Sequence, residues 1–153
     1  GGVILDGRIL SGSELGHMVI IENGEPCTCG RRGCLEAYAS ATALRRDAKR
    51  ATGRDLQPEE IFRGAEEGDQ KLAEVVDAYL RRLGIGIVNI VNIFRPQLVL
   101  LGGGMSRQGE RLLSSLREMV QEGCFGGAKG ELPDLEIATL KNEAGMIGAA
   151  SLL

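Results

Sequence analysis

The apolar positions at the start of the chain predict short strands followed by an irregular loop. In residues 3–10, apolar residues lie on both sides of Asp6-Gly7, a pair that is typical of a two-residue hairpin turn. A third short strand is expected at 17–21. Residues 23–33 are rich in Gly, Pro and Cys, so we expect a loop there without regular structure.

Helical spacing of apolar residues dominates the region after this loop. One helix is predicted over 36–51, with Gly53 just beyond its end, and a second over 59–67. Pro58 suits the start of the second helix because proline lacks only a donor that has no partner there. The longest helix is predicted over 70–94. Its first half carries one apolar stripe and its second half is apolar nearly all round, so this helix should be central.

The last third of the chain alternates strands and helices. Arg95-Pro96 should end the long helix, because the residue before a proline disfavours helical backbone. Strands at the start, followed by alternating strands and helices, are typical of a mixed α/β domain. The elements predicted after Pro96 are a buried strand over 97–101, a glycine turn over 102–104, a helix over 108–122, a strand over 135–141 and a helix over 144–153.

Composition and charge exclude several classes of protein. The 153 residues are 43% apolar and 25% charged, with a net charge of −3, which suits one globular domain or half of a larger protein. The basic residues are scattered, so no nucleic-acid surface is expected. No apolar run reaches ~18 residues, so no membrane span is expected. Without a signal-peptide pattern or a disulfide framework, the cytoplasm is the expected compartment.

The cysteines indicate a metal site. Cys27, Cys29 and Cys34 fall within eight positions in a loop that also holds glycines, and His17 lies ten residues before the first of them. This donor set and spacing suit a tetrahedral zinc ion wrapped by one loop. The alternative is three free thiols and a solvated histidine, which a loop without an apolar interior disfavours. Cys124 is expected to be an apolar core residue.

Two carboxylates flank the predicted metal ligands. Glu14 lies three residues before His17, and Glu36 lies two residues after Cys34. A loop ordered by a metal would hold both close to one point, where carboxylates could accept hydrogen bonds from the adjacent hydroxyls of a sugar. The alternative is that both are ordinary solvated surface groups.

A glycine turn forms a second candidate site. Gly102, Gly103 and Gly104 follow a buried strand and precede a helix, which lets backbone N–H groups approach a phosphate or nucleotide. Arg107 and Glu110 break the dinucleotide and P-loop patterns, respectively. The alternative is a tight connection between strand and helix that binds nothing.

Three segments of the chain together resemble the signatures of the ROK family, whose members are repressors, open-reading-frame proteins and sugar kinases. They are Ser11 to His17, Cys27 to Glu36, and the strand that ends in the three glycines. The run over 34–44 is most similar to that of bacterial glucokinases, and the resemblance spans essentially the whole chain. It implies the actin-like, ribonuclease-H-like α/β fold of sugar kinases, with a mixed sheet, flanking helices and a zinc loop. Ser13 departs from the glycine that the family usually has there.

The resemblance also implies a role for each matching residue. His17 would serve two purposes, with one ring nitrogen on structural zinc and the other directed toward a sugar hydroxyl. The three glycines match the turn that lies against the nucleotide. The residues that match the zinc ligands are His17, Cys27, Cys29 and Cys34. The residues that match the sugar-binding positions are Glu14, His17 and Glu36.

The family's kinases also have an N-terminal lobe that this sequence does not match. That lobe carries the catalytic aspartate in an Asp-Asn-x-Asp-like motif, and Gly1-Gly2 falls within what resembles the second phosphate loop. We therefore expect residues 1–153 to be a C-terminal lobe that contains no catalytic residue and does not phosphorylate sugar alone. An uncovered sheet edge and apolar surface would favour a homo-oligomer.

The activity that the resemblance implies for the intact protein is phosphoryl transfer from Mg·ATP to the 6-hydroxyl of glucose or a related hexose, as in glycolysis. Two alternatives stay open at this point. One is the effector domain of a sugar-sensing repressor of the same family, which would carry a helix-turn-helix elsewhere in the protein. The other is a zinc-stabilised binding module without catalysis. The glucokinase-like run and the glycine turn favour the kinase.

Overall fold

The computed structural model describes residues 1–140, which form one long helix packed against shorter helices, together with two small sheets. The helix predicted over 144–153 lies outside the described residues. Short 3-10 helices cover Leu15–His17, Gly104–Gln108 and Gly127–Lys129. The remaining elements, in chain order, are β1 (Ile4–Leu5), β2 (Arg8–Ile9), α1 (Glu36–Ala39), α2 (Ala41–Thr52), α3 (Pro58–Glu66), α4 (Gln70–Phe94), β3 (Leu98–Leu101), α5 (Glu110–Gly123) and β4 (Asp134–Ile137).

Local residues determine both ends of α4, whose predicted bounds are confirmed. Asp69 caps its start, because the carboxylate accepts a hydrogen bond from the Leu72 N–H at 3.3 Å. Arg95 adopts the left-handed conformation at its end, and Pro96 follows. None of the helices in residues 1–140 is long and apolar enough to cross a membrane.

The second half of α4 is packed on two faces, as its apolar sequence predicts. A Cβ at Gly84 would overlap Met119 of α5, and a Cβ at Gly86 would overlap Leu35, which immediately precedes α1. Two residues apart on a helix are about 200° apart around its axis, so these neighbours lie on nearly opposite faces. Helices α2, α3 and α5 all pack on α4, and their apolar side chains form the core.

The strands form two separate sheets in residues 1–140, which corrects the expectation of one mixed sheet. β1 and β2 are the predicted antiparallel hairpin, with positive φ at Asp6 and Gly7 as its turn requires. β3 pairs in parallel with β4, which begins one residue earlier than predicted and ends at Ile137. The hairpin residues are exposed and pair with each other, so the hairpin adds nothing to the β3–β4 sheet.

The strand predicted over 17–21 is wrong. His17 ends a 3-10 helix, and the following residues make one isolated bridge, between Val19 and Cys34. The N–H groups of Ile20 and Ile21 both donate to the Gly33 carbonyl, so a regular ladder cannot form.

The single helix predicted over 36–51 is divided at Ser40 into α1 and α2. Ser40 is extended, and its Oγ caps α2 by accepting a hydrogen bond from the Ala43 N–H. Two side chains donate hydrogen bonds to carbonyls of α1 near this break. Arg46 of α2 donates to the Ala37 carbonyl, and the Tyr79 hydroxyl of α4 donates to the Ala39 carbonyl. Tertiary hydrogen bonds therefore stabilise the break.

Replacing the α4 cap should destabilise the protein in a pH-dependent way. The Leu72 N–H, aided by Arg54, lowers the pKa of Asp69. The ionised cap therefore contributes stability above about pH 4, the unfolded value, and that contribution is lost as pH falls through the lower folded pKa. Asp69→Ala should lower Tm by about 2–4 °C at pH 7, and the gap from wild type should narrow below about pH 4.

Asp77→Ala is the matched control, because Asp77 lies on the exposed surface of the same helix in an ion pair with Arg81. It should change Tm by less than Asp69→Ala. A gap between wild type and Asp69→Ala that is constant down to pH 2.5 would contradict the capping role.

Candidate functional site

Backbone hydrogen bonds fold residues 25–34 into a closed loop, called the metal loop below. The Gly33 N–H donates to the Glu25 carbonyl at 2.8 Å and closes its neck. The Cys27 N–H donates to the Arg31 carbonyl at 2.9 Å, and the Gly30 N–H donates back to the Cys27 carbonyl at 3.0 Å. These bonds bring the first and last cysteines of the loop close together although they are seven positions apart in sequence.

Gly33 is required at the neck of this loop. Its φ is +80°, in the left-handed region that favours glycine, and a Cβ there would overlap the Ile21 carbonyl. The tight reversal lets the Ile20 N–H donate to the Gly33 carbonyl at 2.9 Å, while the Leu35 N–H donates to the Met18 carbonyl at 2.8 Å. The metal loop is thereby joined to the segment that follows His17.

The four predicted metal ligands come together at the loop. The donor atoms of His17, Cys27, Cys29 and Cys34 all lie within 4.8 Å of one another. Cys27 Sγ is 3.5 Å from His17 Nδ1, and Cys29 Sγ is 3.6 Å from Cys34 Sγ. Tetrahedral zinc with ordinary bond lengths would separate such atoms by about 3.6–3.8 Å. The donor set therefore fits a four-coordinate zinc ion, with no position open for substrate.

The two cysteines in contact differ in acidity. The backbone N–H of Arg31, followed by its side chain, lowers the pKa of the exposed Cys29 thiol to about 6. Burial raises the pKa of Cys34 to about 11. The surroundings of Cys29 therefore favour its thiolate, whereas burial favours the protonated thiol of Cys34, which would lose its proton as a cation binds.

Glu36 is placed beside the cluster by its own contacts. Its Oε1 accepts a hydrogen bond at 3.1 Å from the hydroxyl of Thr28, which stands between two of the cysteines. A Cβ at Gly16 would lie 3.6 Å from Glu36 Oε2, so the carboxylate also borders the 3-10 helix that carries His17. Glu36 is solvent-exposed and can accept hydrogen bonds from a ligand.

Glu14 is related to the cluster through its backbone. Its carbonyl accepts a hydrogen bond from the His17 N–H at 3.0 Å, and its carboxylate is exposed and makes no capping hydrogen bond. His17 directs Nδ1 toward the thiol of Cys27, so Nε2 lies on the far side of the ring. The side chains of His17 and Glu36 thus both contact residues of the metal loop. Glu14 is close to His17 through a backbone hydrogen bond only.

The glycine turn packs on other elements. Gly103 has a φ of +75°, and a Cβ at Gly103 or Gly104 would meet nothing within 4 Å, so the backbone there is open to a ligand. Ser106 steadies the turn by donating to the Gly103 carbonyl at 2.7 Å. The 3-10 helix that begins at Gly104 contacts α3 and α5, whereas the metal loop lies against α1 and α2.

Cys124 is a buried core residue, as predicted.

Sequence reasoning missed three residues that shape the site. Thr28 bonds Glu36, Arg31 donates to the His17 carbonyl at 2.8 Å, and the Tyr38 hydroxyl accepts a hydrogen bond from the Glu25 N–H at 2.5 Å. A tyrosine in an apolar helix indicates a hydroxyl that needs a partner, which is a usable signal. No local pattern distinguishes Arg31 from the adjacent Arg32.

A side chain at Gly33 should open the metal loop. Gly33→Ala combines backbone strain with overlap on a backbone carbonyl, so the ligands should no longer converge, and zinc affinity should fall about tenfold or more. Competition with a chromogenic chelator measures the affinity. Gly30→Ala is the control, because Gly30 has a similar φ of +85° but open space around it. A smaller loss for Gly33→Ala than for Gly30→Ala would contradict the overlap.

Comparisons with known proteins agree with the resemblance. A glucokinase of Thermotoga maritima is 35% identical over 166 residues, covering 99% of this chain and 52% of that protein. A xylose repressor of Caldicellulosiruptor bescii is 29% identical, covering 99% of this chain and 42% of that protein. A ROK family glucokinase from Streptomyces griseus, solved in complex with glucose and AMPPNP, matches with a TM-score of 0.88 at 28% identity, covering 99% of this chain and 55% of that one.

The chain thus spans about half the length of the relatives it matches. The fold they share is the actin-like ATPase fold of ROK sugar kinases. The model of the ROK family matches residues 1–153 in full. The chain therefore belongs to the ROK family.

Proposed function

We propose that this chain is the C-terminal lobe of an ATP-dependent sugar kinase that phosphorylates the 6-hydroxyl of glucose or a related hexose. The observation that carries the proposal is the convergence of His17 and three cysteines with the Glu36 carboxylate directly beside them. The similarity to glucokinases over nearly the whole chain supports it.

The metal loop would orient the sugar rather than carry out chemistry. His17, Cys27, Cys29 and Cys34 would hold zinc, which when bound would cross-link the metal loop to the segment that carries His17, with all its ligands supplied by the protein. Around it, His17 Nε2 and the carboxylates of Glu14 and Glu36 would bond adjacent sugar hydroxyls. Carboxylates only accept hydrogen bonds, so they suit hydroxyl donors and select a polyhydroxylated ligand.

The glycine turn would take the nucleotide. Gly102, Gly103 and Gly104 form this turn, and the backbone at Gly103 and Gly104 has open space around it, which would let N–H groups approach phosphate oxygens without obstruction by side chains. ATP with Mg²⁺ would be the phosphoryl donor in the intact enzyme, where catalysis comes from positioning and electrostatic stabilisation. The catalytic aspartate of the family has no match among residues 1–153.

A second candidate is the effector domain of a sugar-sensing repressor. Xylose repressors match 99% of the chain at 29–31% identity, so the metal loop and sugar site suit either protein. The amino-acid sequence encoded directly upstream of Gly1 distinguishes the kinase from the repressor. An Asp-Asn-x-Asp-like motif there supports the kinase, and a helix-turn-helix supports the repressor.

Exposed apolar residues support a homo-oligomer. Ile4, Ile9, Leu100 and Phe125 are each more than half exposed in residues 1–140, and such surface favours association. Carbohydrate metabolism in the cytoplasm would be the setting for a glucose kinase of this kind.

Removing the charge of Glu36 should weaken glucose use by the full gene product. Glu36→Gln replaces one acceptor oxygen by a donor, so kcat/KM for glucose should fall by about 10–100-fold, mainly through KM. A coupled assay of ATP-dependent glucose phosphorylation measures it. Glu22→Gln is the control, an exposed glutamate just before the metal loop, and should leave kcat/KM within about twofold. Equal kinetics for both variants would argue against the sugar role.

Residues 1–153 alone should not phosphorylate glucose. The group that accepts the proton of the sugar hydroxyl is expected from the other lobe. The same coupled assay, run on purified chain with Mg·ATP and glucose, should show no turnover above a protein-free blank. Sustained turnover would contradict the assignment of catalysis to the other lobe.

A further inference from the structure

A closed ring of polar contacts joins the metal loop to three helices. Glu25 Oε1 accepts a hydrogen bond from Arg50 Nη1 at 2.5 Å, and the same Nη1 is 3.7 Å from Asp47. Asp47 Oδ2 accepts from Arg82 at 3.3 Å, and the Arg82 guanidinium lies 4.9 Å from the centre of the Tyr38 ring. The Tyr38 hydroxyl closes the ring by accepting a hydrogen bond from the backbone N–H of Glu25 at 2.5 Å.

The members of this ring come from four parts of the fold. Glu25 opens the metal loop, Tyr38 lies on α1, Arg50 and Asp47 lie on α2, and Arg82 lies on α4. The side chains of Glu25 and Asp47 are only 28% and 23% exposed, respectively. Charges that are partly removed from water and share partners are screened less than an isolated surface pair.

Arg46 reinforces the ring from inside α2. Its Nε donates to Asp47 at 2.8 Å, its Nη1 donates to the Ala37 carbonyl of α1 at 3.0 Å, and its guanidinium lies 3.9 Å from Glu25. The ring therefore holds α1 and α2 together at the point where Glu25 meets them.

Glu25 is placed where small movements would spread through the metal loop. Its carbonyl accepts the hydrogen bond from the Gly33 N–H that closes the neck. Cys27 comes two residues after Glu25, and Cys34 comes directly after Gly33, so both cysteines are next to this bond in sequence. The preceding residue is Gly24, where a Cβ would overlap the Tyr38 hydroxyl, so the backbone is pressed against α1. Releasing Glu25 would let the neck move relative to α1, the helix that begins with Glu36.

We propose that Glu25 is a positioning residue, which through Arg50 and the Tyr38 hydroxyl holds the neck of the metal loop against α1 and α2. It belongs to neither the ligand set nor the sugar-binding set, and it acts by keeping Cys27, Cys34 and Glu36 in fixed relative positions. This inference rests on the proposed zinc-binding role of the loop.

Metal release from Glu25→Gln tests the proposal. The variant keeps the size and shape of the side chain but removes its charge. In the 153-residue chain, zinc should pass to a chromogenic chelator about fivefold faster than from wild type. The absorption spectrum of the Co²⁺-loaded variant should match wild type, because the four ligands are unchanged. Added salt should speed release from wild type more than from the variant, because salt screens the intact ion pairs.

Glu66→Gln is the matched control. Glu66 on α3 pairs with Arg111 at 2.5 Å, the same separation as Glu25 with Arg50, at a site away from the metal loop. Its release rate should equal that of wild type. Tyr38→Phe provides an independent test, because it keeps the ring beneath Arg82 and removes only the hydroxyl that bonds Glu25. It should also speed release.

Three results would overturn the proposal. They are a Glu25→Gln release rate equal to wild type, an equal acceleration in Glu66→Gln, and a changed Co²⁺ spectrum, which would mean that the ligand set itself was altered. A wild-type chain that binds neither Co²⁺ nor zinc is a separate result. It would overturn the zinc-binding role of the loop under the proposed function, and this inference with it.

Discussion

The convergence of an imidazole and three thiols within 4.8 Å is the constraint on which the candidate site depends. Thiolates this close together would repel one another, so ionisation of all three sulfurs is favoured only when a cation binds between them. The metal loop has almost no apolar interior, and Cys34 is its one buried thiol. Its shape therefore depends on backbone hydrogen bonds and on whatever its donors bind, rather than on hydrophobic burial.

The long helix α4 anchors the metal loop and α1 to the core of the domain. Leu35 follows the last cysteine directly and packs where Gly86 has no side chain, so the end of the metal loop is anchored to the core. The Tyr79 hydroxyl of the same helix bonds the last carbonyl of α1. Glu36 is the first residue of α1, so its position is held by the packing of α1 on the core as well as by the metal loop.

The two candidate binding features are held by different parts of the domain. The metal loop lies against α1 and α2, while the glycine turn leads from β3 into a 3-10 helix that packs on α3 and α5. Helix α4 contacts α2, α3 and α5, so it is the common support for both. Ligands bound at these two features would thus both be supported by the same helix.

Local sequence determined the elements whose causes are local. Asp69 and Arg95-Pro96 define the ends of α4, Asp6-Gly7 defines the hairpin, and the spacing of histidine and cysteines predicts a cluster whose donor atoms the structure brings together. In each case the responsible residues lie within or next to the feature, so periodicity and residue type suffice.

Only the tertiary structure decided the features that depend on distant partners. The break at Ser40 in the helix predicted over 36–51 is stabilised by Tyr79, which lies 40 residues from Ala39 in sequence and donates to its carbonyl. The segment over 17–21 loses its strand because both donors after Val19 share the Gly33 carbonyl. Glu25 meets Arg50 across 25 residues of sequence. Periodicity reports which face of a segment is buried, but not which distant polar group will bond its backbone, so these outcomes follow only from the folded chain.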